Sequence, residues 1–202
     1  MSMADDYANQ GDNHYSHGRF NDAIKSYKKA LQINPGLSEV WFNRGNTLDE
    51  LGRYNDAVKS YNKTLEINPG KFEAWFNRGI SLGNLNRWDD AIESFDKALA
   101  ITTSFSEVWN NRGIALGQIG RWDDAVASYD KALEIEPGKC GAWNNRGIVL
   151  SQIGRWDEAI ESFDKAIAIE PGFPVFWENR ENTIEQKNRA MATAIYIQSP
   201  VR

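Results

Sequence analysis

Tryptophan recurs every 34 residues, at Trp41, Trp75, Trp109, Trp143 and Trp177, with Tyr7 one period earlier. A fixed period constrains a chain more than any composition does, because every repeat must take one local structure and bury its face against the next. Other residues keep the same register: Gly11, Gly45, Gly79, Gly113 and Gly147, then Ala23, Ala57, Ala91, Ala125 and Ala159. Tyr27, Tyr61, Phe95, Tyr129 and Phe163 follow, and then Pro35, Pro69, Pro137 and Pro171. The pattern predicts an all-α solenoid of helix–turn–helix repeats over 4–37, 38–71, 72–105, 106–139 and 140–173. A capping helical segment over 174–198 completes a single array spanning 1–202.

One repeat shows why. In residues 106–139, Trp109, Gly113, Leu116 and Ile119 recur at helical spacing. Gly120 stands where a helix stops in a left-handed residue, as do Gly18, Gly52, Gly154 and, with the next-best residue, Asn86. Asp123 reads as the N-cap of the second helix, with Asn21, Asn55, Asp89 and Asp157 in the same place. A glycine inside a helix costs about 1 kcal/mol relative to alanine. Its recurrence at Gly113 and its equivalents therefore predicts that a second helix passes close by. The aromatics read as core.

This set (Trp109, Gly113, Ala125, Tyr129, Ala132 and Pro137) resembles the tetratricopeptide repeat family, over residues 4–173. The resemblance implies antiparallel helix pairs wound into a right-handed superhelix, with first helices lining a concave face that holds another polypeptide. Two places depart from it. Thr102-Thr103-Ser104 stands where other repeats have Pro-Gly, and Glu181 replaces the small glycine. Beyond Glu181, the residues Phe176, Trp177, Ile184, Met191 and Ile195 predict a helix that covers the last core surface, and Ser199 to Arg202 is expected to fray.

Two residues after each aromatic lies an asparagine: Asn9, Asn43, Asn77, Asn111, Asn145 and Asn179. Asparagine is a poor helix former, so its recurrence needs a cause. The register is similar to the asparagine ladder of the O-GlcNAc transferase repeats, which grips a peptide. A primary amide both donates and accepts, and so matches any peptide group. Stitching of adjacent helices is the alternative. Family inner-face positions add Asp5, Asp12, Glu39, Asp49, Glu50 and Glu73 in the early repeats. Later ones add Asn110, Ile114, Gln118, Asn144, Ile148 and Gln152, with Ile80 between. The expected groove is acidic toward its amino end and neutral, partly apolar, toward its carboxyl end. Acidic residues there disfavour an anionic ligand such as the acidic tail of a heat-shock protein. Arg44, Arg78, Arg112, Arg146 and Arg180 are expected to turn off the inner face toward the next repeat and to pair with Asp or Glu between repeats, their stems packed over apolar surface.

Little else suggests chemistry. A net charge of −5 argues against nucleic acid, which rewards basic grooves. No apolar run approaches the roughly 18–20 residues that span a bilayer. The lone Cys140 forms no internal disulfide and suggests a reducing compartment. The acidic start, residues 1–9, lacks a signal-peptide core. His14 and His17 are too few for a convincing metal site, and no cofactor is expected. The sequence therefore reads as a non-catalytic, cytoplasmic interaction scaffold. Self-association through the terminal helix is one alternative, and a substrate-recognition segment of a larger multidomain enzyme is another.

Overall fold

A tight turn inside each repeat fixes the architecture. In the computed structural model, which describes residues 2–198, Gly18, Gly52, Gly120 and Gly154 have φ between 67° and 76°, and Asn86 has φ 57°. In the fourth repeat Gly120 N–H donates to the Gly117 carbonyl (3.1 Å) and Arg121 N–H to the Leu116 carbonyl (3.0 Å). These paired bonds close the first helix and turn the chain within a few residues.

The chain divides into two compact units, Met1–Thr103 and Ser104–Arg202. The division falls in the Thr102-Thr103-Ser104 link. The first unit holds α1 (Met3–Ser16), α2 (Phe20–Ile33), α3 (Ser38–Glu50), α4 (Tyr54–Ile67), α5 (Phe72–Asn84) and α6 (Trp88–Ile101). The second holds α7 (Ser106–Gln118), α8 (Trp122–Ile135), α9 (Cys140–Gln152), α10 (Trp156–Ile169) and α11 (Pro174–Gln198). No strand occurs among the described residues. Within each unit a first helix packs on its own second helix, and that second helix packs on the next first helix. First helices also touch one another, α1 on α3, α3 on α5, and α7 on α9.

The recurring glycine makes room for a ring rather than for a helix backbone, which corrects the expectation. A Cβ built on Gly113 would lie 2.7 Å from Cε1 of Tyr129, and on Gly45 2.5 Å from Cε1 of Tyr61. Gly11, Gly79 and Gly147 meet Tyr27, Phe95 and Phe163 in the same way. Each ring is at least 97% buried, so it has nowhere to retreat. Glu181 replaces the glycine in α11, which among the described residues has no second helix of its own to bring a ring.

The second helices begin two residues earlier than expected. Arg53, Arg87, Arg121 and Arg155 occupy the N-cap, and none of them makes a side-chain cap bond. The turn leaves only this one residue before Tyr54, Trp88, Trp122 or Trp156 enters the helix. Asp123, Asn21, Asn55, Asp89 and Asp157 therefore lie inside the first turn and are not N-caps. The N-cap arginine instead grips the acid three residues on, as in Arg121–Asp124 (2.6 Å) and Arg155–Glu158 (2.6 Å). Such exposed pairs contribute about 0–1 kcal/mol.

The periodic tryptophans weld one repeat to the turn before it. The indole N–H of Trp41, Trp75, Trp143 and Trp177 donates to the carbonyl of Pro35, Pro69, Pro137 and Pro171 at 2.8–3.1 Å. At the far end, α11 packs on α10 and α9. Phe176 is buried and Ile184 half-buried there, but Trp177 (45%) and Met191 (53%) remain exposed, against expectation. Thr183, which the sequence pattern missed, takes the buried place and bonds Ser151 Oγ at 3.1 Å. The Ile195 side chain and residues 199–202 lie outside what the structure describes.

Candidate functional site

Five ladder asparagines, Asn43, Asn77, Asn111, Asn145 and Asn179, sit half-buried on the first helices and each uses an N–H on the scaffold, whereas Asn9 is exposed. In the first unit Asn43 Nδ2 donates to Asp12 Oδ1 (3.0 Å) and Asn77 Nδ2 to Asn46 Oδ1 (2.9 Å). In the second unit Asn179 Nδ2 donates to Asn144 Oδ1 (2.9 Å), and Asn145 Nδ2 reaches Asn110 Oδ1 only at 3.5 Å. Asn111 Nδ2 turns back to the Glu107 carbonyl of its own helix (2.9 Å). None of these bonds uses the ladder's carbonyl oxygen.

The partner thus moves by one helical turn between units, and residue types explain why. In the first unit the polar partner lies five residues after the aromatic (Asp12, Asn46), and Phe42 fills the place directly after Trp41. In the second, Ile114 and Ile148 hold the former place and Asn110 and Asn144 the latter. Phe42 packs its ring 6.0 Å from Tyr61, so the apolar and polar positions have exchanged roles.

Two clefts occupy equivalent places, two repeats apart. The first-unit cleft, about 320 Å³, is lined by Tyr15, Asn46, Asp49, Glu50, Tyr61, Asn77 and Ile80. Here the Tyr61 hydroxyl donates to Asp49 Oδ2 at 2.6 Å and lies 2.9 Å from Asn46 Oδ1. Ser81 Oγ donates to the other Asp49 oxygen at 2.7 Å. Burial pushes the Asp49 carboxyl up from its ordinary range, and the Tyr61 and Ser81 bonds partly offset that rise. Tyr61 itself is pushed up, first by burial and then by the Asp49 charge.

The second-unit cleft, about 410 Å³, is lined by Ile114, Gly117, Gln118, Trp122, Tyr129, Asn145, Ile148, Val149 and Gln152. No charged side chain lines it. Ile114 and Gly117 stand where Asn46 and Asp49 stand in the first unit, and neither offers a side-chain acceptor. Burial alone pushes the Tyr129 phenol up.

The remaining expected groove residues divide. Asp5 closes a capping box with Ser2, and Asp12 accepts from Tyr27 (2.8 Å) as well as Asn43. Glu39 pairs with Lys71 at 2.9 Å, Asn110 is buried, and Glu50, Glu73, Gln118 and Gln152 are exposed. Much of the early acidity is therefore committed to the scaffold. Two arginines pair with acids between repeats as expected, but they reach the preceding repeat rather than the next. Arg146 pairs with Asp130 of the preceding repeat (2.6 Å), and Arg180 likewise with Asp164 (2.6 Å). Arg44, Arg78, Arg112 and Arg146 also bond a serine of their own second helix: Ser60, Ser94, Ser128 and Ser162 at 2.5–2.7 Å. Each of these four guanidiniums lies 5.7–5.9 Å from the centre of its repeat's tryptophan. Burial pushes the Cys140 thiol up, as does Glu170 beside it, which disfavours a reactive thiolate. Among the described residues no three His, Cys, Asp or Glu side chains converge as metal ligands, and no helix is long and apolar enough to cross a membrane.

Comparison with known proteins places this geometry. The tetratricopeptide repeat family model matches residues 38–71, 72–101, 106–139 and 141–173, and a second TPR repeat model matches 11–51. A crystal structure of MamA protein is 28% identical with a TM-score of 0.81, covering 83% of this chain and 92% of that one. YrrB, described as a TPR protein with an unusual peptide-binding site, is 22% identical with a TM-score of 0.80, covering 87% and 90%. MamA from Desulfovibrio magneticus RS-1 is 20% identical with a TM-score of 0.79, covering 83% and 95%. Among curated proteins none matches.

Proposed function

The chain belongs to the tetratricopeptide repeat family, and on that footing we propose that it is a non-catalytic, cytoplasmic scaffold that holds an extended peptide against its first helices. The observation that carries this reading is the ladder's unused chemistry. Asn43, Asn77, Asn145 and Asn179 bond the scaffold through Nδ2 alone, so each amide oxygen remains to accept a peptide N–H. That use of the amides is similar to the ladder of the O-GlcNAc transferase repeats, and YrrB, of like fold, has a peptide-binding site. Asn110, Asn144, Ile114, Ile148, Gln118 and Gln152 complete the surface in the second unit, and Glu39, Asp49 and Glu50 in the first. Each amide contact adds only about 0.5–1.5 kcal/mol, so side-chain clefts supply the rest of the affinity.

A displayed random-peptide library, screened against the parent and against a folded Asn77→Ala, Asn111→Ala, Asn145→Ala variant, tests this. Peptides that the parent enriches and the variant loses support the reading. Identical enrichment, or none, contradicts it. A second reading, self-association, is favoured by Phe173, Val175 and Trp177, which are 44–52% exposed where α11 begins. Light scattering on the eluting protein separates a dimer from a monomer.

A further inference from the structure

Across the repeats, the second-helix ring carries a hydroxyl where the first helix has a polar residue five places after its aromatic, with one exception. Tyr27 donates to Asp12, and Tyr61 to Asp49. Phe95 and Phe163 stand opposite Ile80 and Ile148, where the position used by Asp12 is apolar. Tyr129 breaks the rule. It keeps its hydroxyl opposite Ile114 and Gly117, and that hydroxyl makes no hydrogen bond among the described residues.

The scaffold has no need of this hydroxyl, since phenylalanine fills the same place in two other repeats. The hydroxyl is not sealed inside the scaffold but opens onto a cleft that polar side chains also line, so leaving it without a protein partner costs the fold little. Tyr129 is only 2% exposed and lines the second-unit cleft, so whatever pairs with it must enter there. Ile114 and Ile148 offer apolar walls in that cleft, the latter 38% exposed, while Gln118, Asn145 and Gln152 offer amides. The absence of charge in the lining matches an uncharged occupant, because an ion there would lose hydration without a counter-charge.

We infer that the second-unit cleft holds an uncharged, extended segment of a partner polypeptide, one of whose main-chain carbonyls accepts the Tyr129 hydroxyl. An apolar side chain of that segment lies between Ile114 and Ile148, and the amide oxygen of Asn145 accepts a neighbouring peptide N–H. This rests on the peptide-holding reading and adds the donor, the cleft and the charge class. The first-unit cleft is closed to this mode, because Asp49 already holds the Tyr61 hydroxyl.

The probe is the best-enriched peptide from a displayed library of short sequences without Lys, Arg, Asp or Glu, titrated calorimetrically. Tyr129→Phe is expected to melt as the parent does and to bind about five- to tenfold more weakly, the loss of one buried hydrogen bond. Gly117→Asp is a second variant. A Cβ at Gly117 meets nothing closer than Val149 Cγ2 at 3.7 Å, so the carboxylate fits and can hold the Tyr129 hydroxyl as Asp49 holds that of Tyr61. It too is expected to weaken binding. Replacing each peptide amide by an ester, whose carbonyl accepts poorly, locates the partner. One ester is expected to weaken the parent and to have no effect in Tyr129→Phe, a coupling that a merely structural role would not produce. Equal affinity of parent and Tyr129→Phe overturns the assignment of Tyr129 while leaving the peptide-holding reading intact. Absence of any enriched peptide in this library or in the random one overturns both.

Discussion

The Tyr61 cleft and the Tyr129 cleft share one local backbone pattern, yet they are chemically opposite. In the first, a half-buried carboxylate, a phenol and a serine hydroxyl satisfy one another, and the ladder amide of Asn77 bonds a neighbour at 2.9 Å. In the second, isoleucine and glycine replace the acceptors, the phenol is left over, and the ladder amide of Asn145 stretches to 3.5 Å. The difference teaches that a repeat scaffold tolerates exchange of its polar interior. What the exchange alters is how much hydrogen-bonding capacity remains for something else.

The largest effect on stability tests what the clefts share. Gly45→Leu and Gly113→Leu each drive a side chain into a ring that cannot move, and each should lower unfolding free energy by about 3 kcal/mol in urea. A loss in one unit only would break the claim that the two rings are confined alike. A smaller effect separates the clefts. Tyr61→Phe removes a bond to a carboxylate and should cost about 1.5–2 kcal/mol, whereas Tyr129→Phe should leave urea unfolding nearly unchanged. Equal losses would mean that the Tyr129 hydroxyl has a partner in the scaffold.

The Asp49 carboxyl gives a pH signature with a definite sign. Its value is raised in the folded protein, chiefly by burial, so the folded chain holds the proton more tightly than the unfolded chain does. Ionised Asp49 therefore opposes folding at neutral pH, and that opposition fades as pH falls through the raised value toward the ordinary 3.8. Measured against Asp49→Asn, the parent should gain relative stability as pH is lowered over that window. A relative loss would show that the hydrogen bonds from Tyr61 and Ser81 outweigh burial. Smallest of all, Asn77→Ala should cost about 1 kcal/mol and Asn145→Ala less, in line with their 2.9 Å and 3.5 Å bonds.

The helical repeats and the left-handed turn residues were legible in the sequence, because a single period forces every repeat to repeat its solution. The close-contact glycines were legible as small residues but not in what they accommodate: the space belongs to the ring of Tyr129 or Tyr61, sixteen residues on. Asp123 misled because an acid favours both the N-cap and the first turn, and only the length of the turn after Gly120 decides between them. Arg146 reached back to Asp130 rather than forward, since its guanidinium also lies against Trp143 and bonds Ser162. The ladder's partners were hidden for a different reason. They depend on whether a polar residue lies one or five places after the aromatic, and the exchange of Asn46 for Ile114 acquires meaning only when Asn110 is seen to take over.

The side-chain amide resonances of a labelled sample, recorded with and without a selected uncharged peptide, test the central claim most directly. The account predicts that Asn145, Gln118 and Gln152 shift while Asn43, which lies outside the second-unit cleft, stays in place. Unmoved ladder amides in the presence of a bound peptide would show that the asparagines serve the scaffold alone.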